Sequence, residues 1–285
     1  MQNSSEFIHL LQTAIAEDIK TGDHSALSTI PKNSEVEAII LSKDQGIIAG
    51  INRAIEAFSY YDSSIQIKKH FNDGDKVDKG DVLLSLKGNA IKILGMERIS
   101  LNIMQRMSGI ATYTDFLQNK IKHTGTKILD TRKTTPGIRF LEKEAVRIGG
   151  GTNHRMGLYD MIMIKDNHID FSGGINTAIQ KANDYIQSQK LDIKIEIEVR
   201  NFEELNEVLS IGKVHRIMLD NFSVADLKTA VQLINGKYES EASGGINENT
   251  IVTYAETGVD YISVGALTHT VKNFDISLIA KPHHG

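Results

Sequence analysis

Six short apolar segments alternate with helical segments in the second half of the chain, and this alternation restricts the fold more than any other feature. The apolar segments are Lys127–Leu129, Met161–Ile164, Ile193–Val199, Arg216–Leu219, Tyr238–Ala242 and Tyr261–Val264. Between them, residues 171–190, 202–212, 223–235 and 247–257 are long enough to form helices. Nearly continuous apolar strands separated by helices are typical of a parallel sheet that is covered by helices.

A polar or small residue lies at the end of each apolar segment. In chain order these residues are Asp130, Lys165, Glu198, Asp220, Ser243 and Gly265. The last three intervals between them are 22 or 23 residues long, close to a minimal strand–helix repeat. Six such repeats favour a closed or nearly closed (β/α) barrel over an open sheet. Because the carboxyl ends of barrel strands form the active site, we expect these residues to share one face.

The part of the chain before residue 110 has a different pattern, in which helices are mixed with short strands. Residues 5–19 and 52–60 carry apolar residues at helical spacing, and a strong turn sequence, Asn72-Asp73-Gly74-Asp75, separates two short strands. A long helical pattern then runs from Ile91 to Ile121. This mixture predicts an α+β domain that ends between residues 110 and 120.

The composition excludes several classes of protein and site. No cysteine is present, which excludes disulfides, thiolate zinc sites and thiol nucleophiles and is compatible with a reducing compartment. The net charge of −4, without a basic block, argues against a nucleic-acid partner. No apolar run reaches the ~18 residues of a membrane span, and the N-terminus lacks a signal-peptide pattern. We therefore expect a soluble, cytoplasmic protein with no membrane partner.

Cationic residues gather near the first two predicted strand ends. Arg132 and Lys133 follow the first apolar segment, Lys165 follows the second, and Arg155 lies between them. A lone histidine is usually structural, and His154 is a candidate only because a glycine triplet and Arg155 accompany it. Since arginine forks suit carboxylates, this group of cations predicts a substrate with several negative charges.

Two carboxylates and one lysine at strand ends allow several kinds of chemistry. Lys165 is compatible with a Schiff base, with an anion ligand, or with an ion pair to Asp166. Glu198 and Asp220 suit a Mg²⁺ ion through their oxygens, whereas helix capping or pairing with Lys165 is the structural alternative. Glu196 shares a strand face with Glu198 but lies deeper, which favours a structural role.

The last two strands both end in small residues, Ser243–Gly245 and Val264–Ala266. Such loops let backbone N–H groups approach a phosphate, and a following helix N-terminus favours its charge. Phosphate sites in barrels often use these last two loops. The pair of loops therefore predicts phosphate binding.

The residues around these predicted strand ends also resemble the signature of a known family. The stretch DTRKTTPGIRFLEKEAVRIGGGTNHRMGLYDMIMIKDNHI closely resembles the central signature of quinolinate phosphoribosyltransferase. The resemblance extends over most of the chain, in order, through EDIKTGD, ERISLNIMQRMSGIAT, IEIEVRNFEEL, IMLDNF, EASGGI and GVDYISVGAL. The region around His24-Ser25-Ala26 matches least, and one extra residue separates Glu198 from Asp220.

The resemblance implies a fold and a reaction. The expected α/β fold is an N-terminal α+β sandwich-like domain, residues 1–112, followed by an incomplete (β/α) barrel, residues 113–270, and a peripheral tail, residues 271–285. The expected activity is that of a nicotinate-nucleotide diphosphorylase (carboxylating), a glycosyltransferase of NAD biosynthesis. It makes nicotinate mononucleotide, CO₂ and pyrophosphate from quinolinate and phosphoribosyl pyrophosphate with Mg²⁺.

The resemblance also assigns residues to the two substrates. The quinolinate carboxylates would be surrounded by Arg132, Lys133, His154 and Arg155, with Thr131 beside them. Lys165, Glu198 and Asp220 would serve catalysis, the phosphoribosyl substrate and its metal, and Ser243, Gly244, Gly245, Val264, Gly265 and Ala266 would hold the 5′-phosphate. The helical pattern alone makes Arg106 a solvated arginine, whereas the resemblance places it in the active site of a partner subunit in a homodimer, with a hexamer as the larger alternative.

Three alternatives stay open at the level of sequence. A related enzyme that has kept the scaffold for another base, such as nicotinate, or for a role associated with molybdenum uptake would share most motifs. An aldolase-like barrel would use Lys165 as a Schiff base, and a phosphosugar-binding protein would need no catalysis. Cations on two different strands argue against nicotinate, because its single carboxylate needs fewer.

Overall fold

The structure is a computed structural model that describes residues 2–281. The chain forms two compact units, which are described separately. Unit 1 comprises the residues up to Asp115, Thr134–Gly150 and the segment from Thr270, and unit 2 comprises Phe116–Lys133 and Gly151–His269. The predicted domains were continuous segments, whereas both spatial units are discontinuous in sequence. Residue 1 and residues 282–285 of the predicted tail lie outside the described residues.

Helices and strands alternate through the described part of the chain. The helices are α1 (Gln2–Asp18), α2 (His24–Thr29), α3 (Ile51–Tyr61), α4 (Ala90–Lys120), α5 (Arg139–Ile148), α6 (Asp166–Ser172), α7 (Ile175–Gln189), α8 (Phe202–Ile211), α9 (Val224–Ile234), α10 (Ile251–Ala255) and α11 (Ala266–His269). The strands are β1 (Glu35–Ser42), β2 (Gly46–Ile47), β3 (Gln66–Lys69), β4 (Lys76–Val77), β5 (Val82–Asn89), β6 (Lys127–Leu129), β7 (Met161–Ile164), β8 (Lys194–Val199), β9 (Arg216–Asp220), β10 (Glu239–Ser243), β11 (Tyr261–Ser263) and β12 (Ile276–Ala280).

Unit 1 is built on an antiparallel sheet with the strand order β12-β1-β5-β3. In β1, Ala38, Ile40 and Ser42 are buried while the residues between them are more exposed, so one face of the strand packs in the core. The segment that the sequence predicted as a peripheral tail supplies β12, which pairs with β1 at Ile40↔Leu278. The long helical pattern forms one uninterrupted helix, α4.

Unit 2 contains a parallel sheet of six strands in the order β6-β11-β10-β9-β8-β7. This confirms the predicted parallel sheet with helices between the strands. Among the described residues no ladder joins β6 to β7, so the barrel is incomplete, as expected. In β8 the apolar residues Ile195, Ile197 and Val199 are fully buried on one face, and Glu196 and Glu198 alternate with them on the other. The inner face of the sheet therefore carries charge.

Within residues 2–281, every helix is too short or too polar to cross a membrane.

Candidate active site

A cavity of about 800 Å³ opens at the carboxyl ends of the parallel strands of unit 2. Its volume is typical of a site for a small ligand. Most of the residues that the sequence predicted for the site line it: Thr131, Arg132, Lys133, His154, Arg155, Lys165, Glu198, Asp220, Ser243, Gly244, Gly245, Gly265 and Ala266. They lie together because the carboxyl ends of parallel strands all lie at the same edge of a sheet.

One side of the cavity is positively charged. Arg132 and Lys133 lie on the exposed loop after β6, and Arg155 is half-buried nearby. Burial lowers the pKa of Arg155, and the positive charge of Arg132 lowers it further. Since an arginine stays protonated in proteins, this crowding of charge is relieved when an anion binds between the two guanidinium groups.

Asp130 fixes the loop that carries these cations. Its side chain is fully buried, and Oδ1 accepts a hydrogen bond of 2.8 Å from the backbone N of His154. Oδ2 accepts a hydrogen bond from the side-chain amide of Asn153. The residue that the sequence marked only as a strand end is therefore an anchor for the neighbouring loop.

Lys165 forms an ion pair across two strands. Its Nζ lies 2.7 Å from Glu198 Oε2, and the lysine side chain is 44% exposed. Of the sequence alternatives, the ion pair to Asp166 is not the one that forms, because Asp166 begins α6 and its Oδ1 accepts from Asn167 N instead. The pair instead leaves a partly exposed cation at the cavity wall.

Glu198 and Asp220 supply oxygen donors at the ends of the adjacent strands β8 and β9. Both are partly exposed to the cavity, and Asp220 Oδ2 accepts a hydrogen bond of 2.7 Å from Asn221 Nδ2. Mg²⁺ binds oxygen ligands and keeps several waters, so two carboxylates at neighbouring strand ends are suitable ligands even though Glu198 is also paired with Lys165. The donor set is therefore compatible with the predicted metal.

The two small-residue loops also line the cavity, and the second lies beside Lys133, because a Cβ on Gly265 would be 3.2 Å from Lys133 Cδ. Gly244 has a φ of +107° and Gly245 a φ of +62°, and a Cβ on Gly244 would collide with the Asn221 side chain. The expected contribution of helix N-termini is wrong for the first loop, because α10 begins only at Ile251. In the second loop α11 is a single turn. Backbone N–H groups are the donors that these loops can offer.

His154 contacts protein groups through both ring nitrogens. Nδ1 accepts a hydrogen bond of 2.7 Å from the backbone N of Arg155, and Nε2 lies 3.0 Å from Glu196 Oε2 and 3.4 Å from Glu241 Oε2. Burial opposes ionisation of the ring, but the two carboxylates outweigh it and raise the pKa of His154 to about 9. Since the hydrogen bond from Arg155 N needs an unprotonated Nδ1, the ring in this geometry is neutral with its proton on Nε2, and the second proton that the raised pKa favours would break that hydrogen bond.

The carboxylates beside His154 are also perturbed. Burial, followed by the charge of Glu241, raises the pKa of Glu196 to about 7. Glu196 and Glu241 are both fully buried, which agrees with the structural role that the sequence favoured for Glu196. At neutral pH the group formed by the ring and the carboxylates therefore retains a proton between them.

Comparisons with known proteins agree with this geometry over nearly the whole chain. Residues 23–108 match the family described as "Quinolinate phosphoribosyl transferase, N-terminal domain". Residues 110–279 match the corresponding C-terminal domain. The chain belongs to the quinolinate phosphoribosyltransferase family. The predicted family is therefore confirmed.

Individual members of the quinolinate phosphoribosyltransferase family are similar to this chain along most of their length. The chain is 46% identical over 284 residues to the chloroplastic nicotinate-nucleotide pyrophosphorylase (carboxylating) of Arabidopsis thaliana, covering 94% of this chain and 81% of that protein. It is 44% identical over 276 residues to a probable enzyme of the same name from Bacillus subtilis, covering 97% and 94%. The solved nicotinate-nucleotide pyrophosphorylase from Francisella tularensis superposes with a TM-score of 0.92 at 42% identity, covering 97% of this chain and 96% of that one.

Two residues predicted from the family resemblance lie outside the cavity lining. Val264 has a buried side chain, and its backbone N donates to Leu129 O. Arg106 belongs to unit 1, where its Nε and Nη2 lie 2.9 and 2.7 Å from Glu142 Oε1. Glu142 is fully buried and the Arg106 side chain is 25% exposed. The solvated arginine suggested by the helical pattern is therefore wrong.

The sequence reasoning missed several residues that line the cavity. These are Met163, Met218, Asn221, Glu241, Ile246, Ser263 and His269. Two of them had a signal: Glu241 is two residues before Ser243 in a strand, and His269 lies three residues after Ala266 in a helical turn. Such spacings place each pair on one face.

Proposed function

We propose that this protein catalyses transfer of a phosphoribosyl group to the ring nitrogen of quinolinate, with loss of CO₂ and pyrophosphate. The observation that carries the proposal is one cavity that combines a cationic side, a pair of carboxylates and two glycine loops, in a chain of the quinolinate phosphoribosyltransferase family. The product, nicotinate mononucleotide, is a precursor of NAD.

The cationic side suits the dicarboxylate substrate. Arg132, Lys133 and Arg155 provide three charges for two vicinal carboxylates, and Thr131 lies at the same wall. Guanidinium groups bind carboxylates through parallel hydrogen bonds, which also fixes the orientation of the pyridine ring. An orientated ring presents its nitrogen to the second substrate.

The two glycine loops suit phosphoribosyl pyrophosphate. Ser243–Gly245 and Gly265–Ala266 offer backbone N–H groups to the 5′-phosphate, whereas the N–H of Val264 is already donated to Leu129 O, so Val264 shapes the loop from beneath. Glu198 and Asp220 are the residues that would hold Mg²⁺ with the substrate. The bound metal would supply charge neutralisation on the pyrophosphate.

The chemistry follows from the placement of charge. The bond between the ribose anomeric carbon and pyrophosphate breaks, the pyrophosphate takes the electron pair, and Lys165 stabilises its negative charge. The quinolinate nitrogen forms the new bond to the same carbon. The resulting pyridinium draws electrons, so the bond to the 2-carboxylate breaks, CO₂ leaves, and a proton replaces it on the ring carbon.

The proposal includes a homodimer in which Arg106 of one subunit enters the active site of the other. The family resemblance supports this arrangement. The structure adds that Glu142 and Thr135 bind the Arg106 guanidinium, while the Arg106 side chain stays 25% exposed. A location in the cytoplasm and a hexamer stay predictions.

A direct assay tests the proposal. The enzyme is incubated with quinolinate, phosphoribosyl pyrophosphate and Mg²⁺, and release of CO₂ and pyrophosphate is measured, with nicotinate as the control substrate. We expect turnover with quinolinate and little with nicotinate. Absence of turnover with quinolinate would falsify the proposal.

The aldolase-like alternative has its own test. A Schiff base needs an amine that is free to attack a carbonyl, whereas Lys165 Nζ is held 2.7 Å from Glu198 in an ion pair. Borohydride should therefore trap no carbonyl substrate on Lys165. A trapped adduct in intact-mass spectra would support the alternative.

A further inference from the structure

The interior of the parallel sheet below the cavity contains a charged cluster in place of a purely apolar core. Arg216 starts β9, and its side chain is only 8% exposed. In the sheet register it lies opposite Glu196 of β8 and Glu239 of β10. Barrel interiors are usually filled by branched apolar side chains, so a buried arginine here needs a reason.

The Arg216 guanidinium is held on two sides. Nε and Nη2 donate to Glu239 Oε2 at 3.2 and 3.1 Å. The guanidinium carbon lies 4.2 Å from the centre of the Tyr261 ring, a stacking distance. These contacts point Nη1 at two other carboxylates.

Those carboxylates connect Arg216 to the wall of the cavity. Nη1 donates to Glu241 Oε2 at 3.2 Å and lies 3.9 Å from Glu196 Oε2. Both glutamates are fully buried, and both contact His154 Nε2. His154 Nδ1 in turn accepts from the backbone N of Arg155, a residue of the cationic side.

The charges in this cluster make the position of each group depend on its neighbour, from Arg216 through the two glutamates to His154. Two buried carboxylates without a cation repel each other and are strongly unfavourable in a low-dielectric interior. The Arg216 guanidinium compensates the negative charge of the two glutamates in the interior of the sheet, and His154 contacts the same glutamates at the cavity wall. Loss of Arg216 would therefore displace the glutamates, and with them the ring that fixes the backbone at Arg155.

We propose that Arg216 is a positioning residue for the dicarboxylate pocket, acting through Glu241, Glu196 and His154 on Arg155. In this arrangement His154 supports the pocket wall and does not itself bind the carboxylates, because both of its ring nitrogens face protein groups. The inference rests on the proposed function for the identity of the dicarboxylate.

A buried metal ion is the competing explanation for the same cluster. One ligand atom from each of His154, Glu196 and Glu241 lies within 4.8 Å of the others, as in a metal site. Arg216 already brings a positive charge to these carboxylates, which disfavours a divalent cation beside it. A metal would make Arg216 unnecessary for the geometry of His154.

The test uses the full-length enzyme and four variants: Arg216→Met, Arg216→Lys, Arg216→Met with Glu241→Gln, and Arg200→Met. The measurements are kcat, KM for each substrate, the Kd of quinolinate by calorimetry, and Tm. Arg200→Met is the matched control, because Arg200 also pairs with a glutamate, Glu204, but does not line the cavity or contact the cluster.

We expect Arg216→Met to weaken quinolinate binding roughly tenfold to hundredfold, while KM for phosphoribosyl pyrophosphate changes by less than about threefold. Arg200→Met should change neither KM by more than about threefold. The double variant should recover part of the lost affinity, since it removes the unpaired charge, and Arg216→Lys should be intermediate. If Arg216→Met does not fold, the lysine and double variants give the same comparison.

Three outcomes would overturn the positioning role. The first is a lower Tm with unchanged quinolinate affinity in Arg216→Met, and the second is an equal loss for both substrates. The third is one equivalent of divalent metal that survives chelation without substrate and is absent from His154→Ala. A wild-type enzyme that neither binds nor converts quinolinate would instead overturn the proposed function, which separates the two failures.

Discussion

Lys165 Nζ and Glu198 Oε2 lie 2.7 Å apart, so an ion pair joins the ends of two adjacent parallel strands inside the cavity. The glutamate side chain is 11% exposed and the lysine 44%, which leaves the cation the more accessible partner. The pair holds the Lys165 side chain in one orientation before any substrate binds. Such preorganisation is what makes a charge effective in a transition state.

Replacing Lys165 by methionine should therefore slow the chemical step. The variant keeps the length of the side chain but leaves the departing pyrophosphate without this cation, and we expect kcat to fall by about 10²–10³-fold. Steady-state kinetics with both substrates saturating measures the effect. Lys228→Met, at an exposed position of α9, is the control and should keep its activity. A Lys165→Met enzyme within threefold of wild type would remove Lys165 from the mechanism.

The cationic side predicts a selective loss of quinolinate affinity. Arg132→Met and Arg155→Met each remove one charge-assisted contact, worth about 1.5–3 kcal/mol or roughly 10–150-fold in Kd. Calorimetry with quinolinate measures the loss. Arg200→Met is the control, since Arg200 pairs with Glu204 on the surface. Near-wild-type affinity in both cavity variants would contradict the assignment.

The architecture of unit 2 was predictable because it depends on local signals. Apolar segments at regular intervals predicted the parallel sheet, and parallel strands necessarily bring Asp130, Lys165, Glu198 and Asp220 to one edge. The pocket positions of Lys165, Glu198 and Asp220 followed from the ends of predicted strands, whereas the assignment of His154 and Arg155 to quinolinate came from the family resemblance. No contact between side chains had to be known.

The contacts that decide the electrostatics were not predictable in this way. Asp166 is next to Lys165 in the sequence, yet the partner of Lys165 is Glu198, because Asp166 begins a helix that turns its side chain away. Arg216 begins an apolar segment and had no apparent role until the register placed it between two acidic strands. These pairings depend on packing between distant segments.

The loop Ser243–Gly245 gives a third prediction, which depends on both a steric contact and the backbone conformation of Gly244. Gly244→Ala adds a Cβ that meets the Asn221 side chain, at a φ of +107° that disfavours alanine. The loop must shift, so we expect KM for phosphoribosyl pyrophosphate to rise roughly tenfold while quinolinate affinity is retained. Steady-state kinetics and quinolinate calorimetry measure the two effects.

The matched control for this loop is Gly236→Ala. Gly236 has a φ of +68°, and a Cβ there meets nothing within 4 Å. It should lower Tm slightly through backbone strain and leave both KM values unchanged. An unchanged KM for phosphoribosyl pyrophosphate in Gly244→Ala would contradict the phosphate role of this loop.

Sharing of Arg106 between subunits gives the last prediction, a complementation experiment. Arg106→Ala and Lys165→Met homodimers should each be nearly inactive. Mixing them with subunit exchange should restore about one quarter of wild-type activity, because half of the dimers are mixed and each mixed dimer has one complete site. Glu142→Gln should resemble Arg106→Ala in this assay, since Glu142 holds the guanidinium. If Arg106 acted within its own subunit, no mixed dimer would contain a complete site and mixing would restore no activity.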